Sequence, residues 1–195
     1  LLLPGDGVGP EIMSETVKLL DFFIDNKIIE ITYEYADIGG IAIDNHGNPF
    51  PDNTFEKAKS SRAILLGAVG TKKHDKNENK MKPESGLLSL RKKLDLYINL
   101  RPIFIFENLI DKSSLKAEVI KDIDLVIVRE LVSDIYFGEP RGFNEDDKSA
   151  FNTMRYTESE VKRITDYAIK LSKKRKGRIM SVDKANVLET SQLWR

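Results

Sequence analysis

The sequence predicts an α/β chain, and three observations carry that expectation. Apolar runs of strand length, such as residues 63–69 and 125–128, alternate with segments whose apolar residues recur at helical spacing. Gly and Pro punctuate the boundaries between them. Strands that alternate with helices favour mostly parallel pairing.

Residues 1–4 read as the tail of a strand. Pro10 and Glu11 then open a helix over about 10–25, with Ile12, Thr16, Leu19, Leu20 and Phe23 at helical spacing. Ile29, Ile31, Tyr33 and Tyr35 alternate with other residues as in a half-buried strand, and Gly39-Gly40 punctuates it. Asp52 is placed to cap a short helix to about Arg62, and residues 63–69 follow as a strand. A polar loop over 71–82 precedes a helix over 86–95 built on Leu87, Leu90 and Leu94. Residues 97–106 and 123–131 read as strands, and 137–143, with Gly138, Pro140 and Gly142, as a turn-rich excursion. Thr157-Glu158-Ser159-Glu160 is a capping box that opens a long helix ending near Gly177. Residues 178–187 read as another strand.

Composition narrows the function classes. The chain has 195 residues, with 31 basic and 31 acidic side chains, so it lacks the charge that non-specific nucleic-acid or anionic-membrane binding needs. With no Cys there is no disulfide, thiolate metal site or cysteine nucleophile, which suits the cytoplasm. No apolar run approaches the ~20 residues that span a bilayer. The chain starts at Leu rather than Met and stops in what reads as the first turns of a helix, so it is expected to be a piece of a longer one.

Several residues suggest chemistry. Residues 3–11 (LPGDGVGPE) form a glycine turn between strand and helix, but their spacing fails the dinucleotide fingerprint. Such a turn exposes backbone N–H groups near a helix start, where a ligand can touch them. Glu84, Leu87, Leu88 and Arg91 share one helical face; core packing accounts for the leucines but not for the charged ends. Arg101 and Arg129 sit in apolar strands, where a guanidinium needs an anion, either an internal carboxylate or a small dianionic ligand. Tyr136 and Lys184 are candidate acid and base, with structural roles as the alternative. His46 and His74 lie in polar loops without partners at metal-ligand spacing and receive no role.

Together these motifs resemble the isopropylmalate/isocitrate dehydrogenase family of β-hydroxyacid oxidative decarboxylases, on its isopropylmalate branch. The resemblance runs through residues 3–11, 66–70 (LGAVG), 83–92 (PESGLLSLRK), 99–102 (NLRP), 128–131 (VREL), 135–142 (IYFGEPRG) and 181–195 (SVDKANVLETSQLWR). It implies a two-domain α/β fold, incomplete at both ends here, with a first domain over 1–96 and a second, carrying dimer contacts, over 97–195. It implies oxidation of the 2-hydroxyl of 3-isopropylmalate with NAD, then loss of carbon dioxide to give 4-methyl-2-oxopentanoate in leucine biosynthesis, with Mg or Mn as Lewis acid.

By the same resemblance Arg91, Arg101 and Arg129 clamp the carboxylates, Leu87 and Leu88 accept the isopropyl group, Lys184 is the base and Tyr136 the acid. Gly70, Thr71, Lys73, Glu84 and Asn186 are implied cofactor contacts. Lys184 and Asn186 would serve the neighbouring subunit of a homodimer. The metal-binding aspartates are expected beyond Arg195, so the 195 residues alone are expected to be inactive and poorly soluble. A sister enzyme acting on isocitrate, homoisocitrate or tartrate and a non-catalytic anion-binding domain are the alternatives. Two departures stand out: Gly70-Thr71 replaces a glycine pair, and Val132-Ser133-Asp134 replaces Thr-Gly-Gly.

Overall fold

A computed structural model describes residues 1–146 and 148–195. It divides into two compact units, Leu1–Leu94 and Asp95–Arg195. In the first unit, β1 (Leu2–Gly5) pairs in parallel with β2 (Leu65–Ala68), Leu3 opposite Leu66 and Gly5 opposite Ala68. The leucine run of β1 is buried, as a strand covered on both faces requires.

α1 (Gly9–Asp25) begins with Pro10 in its first turn, where the missing N–H needs no partner. Its buried residues are Gly9 and Met13, whereas Ile12 and Leu19 stay exposed, so the apolar spacing marks the helix better than its buried face. The strand expected at 29–35 reduces to one parallel bridge, Tyr35 opposite Leu2, held by Leu2 N–H to Glu34 O (2.8 Å) and Ala36 N–H to Leu2 O (3.1 Å). Among the described residues no strand pairs with residues 29–33, so the expected alternation ends in this single bridge.

Gly39-Gly40 does more than punctuate. Gly39, at φ 74°, leads into α2 (Gly40–His46), a helix the sequence reading did not anticipate. α3 (Asp52–Ser60) follows Pro51; Asp52 is its first helical residue rather than its side-chain cap, and lies 3.4 Å from Lys93 Nζ. α4 (Pro83–Lys93) completes the unit. Leu1, Leu3, Ile38, Phe50, Ala58 and Leu90 form the core, which draws on β1, α3, α4 and the loops between. Each large apolar side chain buried there contributes roughly 1.5–3 kcal/mol.

The second unit is built differently. β3 (Ile98–Phe104) pairs antiparallel with β4 (Asp124–Glu130), Asn99 opposite Arg129 and Arg101 opposite Ile127. The connection between them holds a short 3-10 helix and the four-residue α5 (Ala117–Ile120), not the long crossover that the expected parallel pairing needs. The excursion after Tyr136 contains a small hairpin, β5 (Gly142–Asn144) with β6 (Ser149–Phe151).

α6 (Glu158–Lys173) carries the expected capping box: the Thr157 hydroxyl accepts from Glu160 N–H, and the Glu160 carboxylate accepts from Thr157 N–H at 2.7 Å. Regular helix ends at Lys173, and Gly177 follows at φ 70°. Residues 178–187 are not a strand: among the described residues nothing pairs with them, and Met180 and Val182 are 87% and 90% exposed. α7 (Glu189–Gln192) closes the chain. Among the described residues no helix is long and apolar enough to cross a membrane.

The glycines beside β1 are a packing requirement. A Cβ on Gly9 would stand 2.1 Å from Pro4 O and 2.8 Å from Ala68 O, and one on Gly67 2.3 Å from Pro4 O. The obstructing atoms are backbone, so α1 and β2 can approach β1 this closely only through glycine. Gly9→Ala is therefore expected to destabilise the fold by about 1–3 kcal/mol, the usual effect of overpacking, and a thermal melt against wild type measures it.

Candidate active site

The first unit gathers its turns on one carboxylate. Asp6, at the end of β1 and 8% exposed, donates its N–H to Ala68 O (2.8 Å) and accepts from Gly9 N–H at its carbonyl (2.9 Å). Its carboxylate accepts from Gly70 N–H at Oδ1 (2.7 Å) and from Gly40 N–H at Oδ2. The glycine turn, the start of α2 and the end of β2 thus meet at one side chain. A Cβ on Gly39 or Gly40 would come within 2.6 or 2.8 Å of Asp6 Oδ2, so both residues must be bare.

Beside this junction lies an open cavity of about 310 Å³, walled by Gly5, Asp6, Gly7, Gly40, Asp44, Thr71, Lys73 and His74. Lys73 Nζ donates to Asp44 Oδ2 at 2.7 Å. His74 is only 5% exposed; its Nε2 lies 3.6 Å from Asp44 Oδ1 and its Nδ1 3.2 Å from Asn77 Nδ2. The loop after β2 is thereby tied to α2. Gly70 has φ 120°, and a Cβ there would stand 2.9 Å from Glu84 Oε1. Gly70, Thr71, Lys73 and Glu84, four of the expected cofactor contacts, are thus neighbours in one unit, whereas Asn186 belongs to the other.

On α4, Leu87 packs partly against the core, so it has a structural share whatever else it touches. Leu88 and Arg91 are half-buried. In the second unit, the β3–β4 register puts Arg101 and Arg129 on the same sheet face, because Asn99 is opposite Arg129 and Arg101 is two residues further along. Arg101 is exposed rather than embedded, since its face of the sheet is open, and its Nε donates to Asn99 Oδ1 at 3.0 Å. Among the described residues neither arginine has a carboxylate at ion-pair distance. The Arg129 guanidinium lies 5.5 Å from the centre of the Tyr136 ring, and Tyr136 is 46% exposed.

Lys184 and Asn186 are exposed, and no hydrogen bond or ion pair joins them to this group among the described residues. Sequence reasoning missed Asp6, Asp44 and His74. A buried Asp after a strand was the available signal for Asp6, but its two partners are 34 and 64 residues away.

Comparisons with known proteins identify the family. The isocitrate/isopropylmalate dehydrogenase family profile matches residues 1–195, and the chain belongs to that family. It is 52% identical over 196 residues to 3-isopropylmalate dehydrogenase of Prochlorococcus marinus (strain NATL2A), covering all of this chain and 55% of the relative. Among solved structures it resembles isocitrate dehydrogenase from Methylococcus capsulatus, with TM-score 0.77, 28% identity, and coverage of 99% of this chain and 53% of that one. It also resembles a beta-decarboxylating dehydrogenase from Thermococcus kodakarensis, with TM-score 0.68, 29% identity, and coverage of 99% and 51%. The chain spans about half the length of the curated relatives it matches.

The hydrogen bond from Lys73 holds the Asp44 carboxyl below the usual carboxylate range. A depressed value means that the pair supports the fold at neutral pH and lets go as pH falls through the folded-state value. Carboxyl-carbon NMR should find the Asp44 midpoint below that of an ordinary aspartate, and Lys73→Met should move it back up.

Proposed function

We propose that the protein carrying this chain oxidises and decarboxylates 3-isopropylmalate to 4-methyl-2-oxopentanoate. The observation that carries the reading is the arginine pair on one face of the β3–β4 sheet, free of carboxylate partners among the described residues, with Arg129 against Tyr136. Family membership and the names of the similar curated proteins support the same substrate.

In this reading Arg101 and Arg129, with Arg91, hold the two carboxylates by guanidinium forks, and Leu87 and Leu88 accept the isopropyl group. An isocitrate carboxylate set against two leucines would lose its hydrogen-bonding partners, whereas each buried CH₂ of an isopropyl group gains about 0.8 kcal/mol. Lys184 Nζ, contributed to the neighbouring subunit of a homodimer, takes the proton of the 2-hydroxyl. Loss of the carboxyl group β to the new ketone leaves its electron pair as an enolate, and the Tyr136 phenol delivers a proton to that carbon.

NAD, when bound, supplies the acceptor for the hydride from C2. The cavity fits part of it, because glycine backbone at Gly5, Gly7 and Gly40 permits close approach and Thr71 and Lys73 offer polar groups. Gly70 and Glu84 border that wall, and Asn186 would reach the cofactor from the partner. For Mg or Mn the described residues do not suffice: no three His, Asp or Glu side chains come together to hold a metal ion. Cytoplasmic placement completes the reading.

In the full-length protein, Leu87→Ser with Leu88→Asn should lower kcat/KM for isopropylmalate relative to isocitrate by about 10-fold or more. An unchanged ratio would refute the pocket assignment. Because Leu87 also packs on the core, the double variant should melt at lower temperature than wild type.

A further inference from the structure

Glu130 is a buried carboxylate that the reaction does not use. It follows Arg129 at the end of β4, is 8% exposed, and points to the opposite face of the sheet from Arg129. The ladder ends just after it, with Leu131 N–H donating to Tyr97 O at 3.1 Å. The next two N–H groups have left the sheet, and the carboxylate takes both: Val132 N–H at Oε1 (3.2 Å) and Ser133 N–H at Oε2 (3.0 Å). The chain then turns through Asp134, at φ 70°, whose carbonyl accepts from Phe137 N–H (3.1 Å) and Gly138 N–H (2.9 Å). Tyr136 rides on that turn.

Among the described residues, one cation answers this buried charge. Arg163 of α6 has Nη2 3.7 Å from Glu130 Oε1, and is aimed by Nη1, which donates to both Asp95 carboxylate oxygens (2.8 and 3.0 Å), and by the Tyr97 ring 4.3 Å beneath it. A charge this buried is tolerated only when paired and hydrogen-bonded. An amide could not replace it: glutamine has one acceptor oxygen, and its amino group would face a backbone N–H.

We propose that Glu130 is the positioning residue of Tyr136. From beneath the sheet it fixes the turn that carries the phenol, while Arg129 meets the same ring from above. Asp95 and Arg163 hold Glu130 in place. This rests on the reading of Tyr136 as the proton donor, and it predicts that damage at Glu130 slows proton delivery to the enolate carbon and leaves hydride transfer and anion binding nearly intact.

The test uses the full-length protein and three variants: Tyr136→Phe, Glu130→Gln and Arg163→Lys. Glu130→Gln should lower kcat about 10- to 100-fold, as sub-ångström to ångström displacement of a reacting group does, with KM for isopropylmalate changed less than about 3-fold. The solvent deuterium isotope effect on kcat should rise and that of 2-deuterated substrate should fall, because protonation becomes limiting. Arg163→Lys, which keeps the charge but loses the fork, should shift both isotope effects the same way by less, and decides the matter if Glu130→Gln does not fold. Merely losing folded protein scales all isotopologues alike and moves neither ratio. Wild-type rate and isotope effects in Tyr136→Phe would remove the donor itself. An impaired Tyr136→Phe beside unchanged isotope effects in the other two would overturn the positioning role alone.

Discussion

The Asp6 carboxylate lies where three chain segments have backbone N–H groups with no ladder or helix partner, and it takes two of them while its own backbone serves β2 and α1. Hydrogen bonds to an ionised acceptor are the stronger kind, and this acceptor is almost wholly shielded from water. The remaining arrangement follows from it. Gly40 opens α2, which carries Asp44; Gly70 opens the loop that carries Lys73 and His74; and these meet as one ion-paired wall. Without the Asp6 junction, the loop after β2 would depend on the exposed Lys73–Asp44 pair, which at the surface is worth little.

The second unit solves its equivalent problem with the same device. Glu130 closes the end of β4 as Asp6 closes the end of β1, each taking two backbone N–H groups at the point where a strand gives way to a functional loop. The difference lies in the counter-charge. Glu130 has Arg163, whereas Asp6 is held by amide dipoles. A strand end that must present a side chain at fixed orientation cannot rely on the ladder, which stops one residue too soon. A buried carboxylate with two acceptor atoms continues the fixed geometry by two residues.

Local signals were legible in the sequence and distant ones were not. Thr157-x-x-Glu160 identified the start of α6 because both hydrogen bonds lie within four residues. Pro10 did the same for α1. The strand reading at 178–187 misled, since a run of strand length reports a segment that could join a sheet and not a neighbour that pairs with it. His74 looked like one more polar-loop residue, yet α2, a helix hidden behind a glycine pair, covers it. The arginines were recognised by type, but whether Arg101 was embedded depended on which face of β3 stayed open, and strand register decides that.

The two departures from the family pattern have opposite characters. Thr71 stands where a second glycine is expected, but its backbone is extended, at φ −134° and ψ 148°, which any residue adopts; the glycine conformation at this corner belongs to Gly70. Asp134 stands where glycine is expected and does adopt a left-handed conformation, a strain of about 1–2 kcal/mol for most residues and least for Asn and Asp. Its N–H donates to Arg155 O at 3.2 Å. What changes is charge. The new carboxylate, with that of Glu130, adds to burial in pushing the Tyr156 phenol well above its ordinary range. A phenol held protonated can stand beside two carboxylates without a third negative charge, and that protonation persists until pH rises past the value of a free tyrosine. The substitution is therefore tolerated by a neighbour's proton.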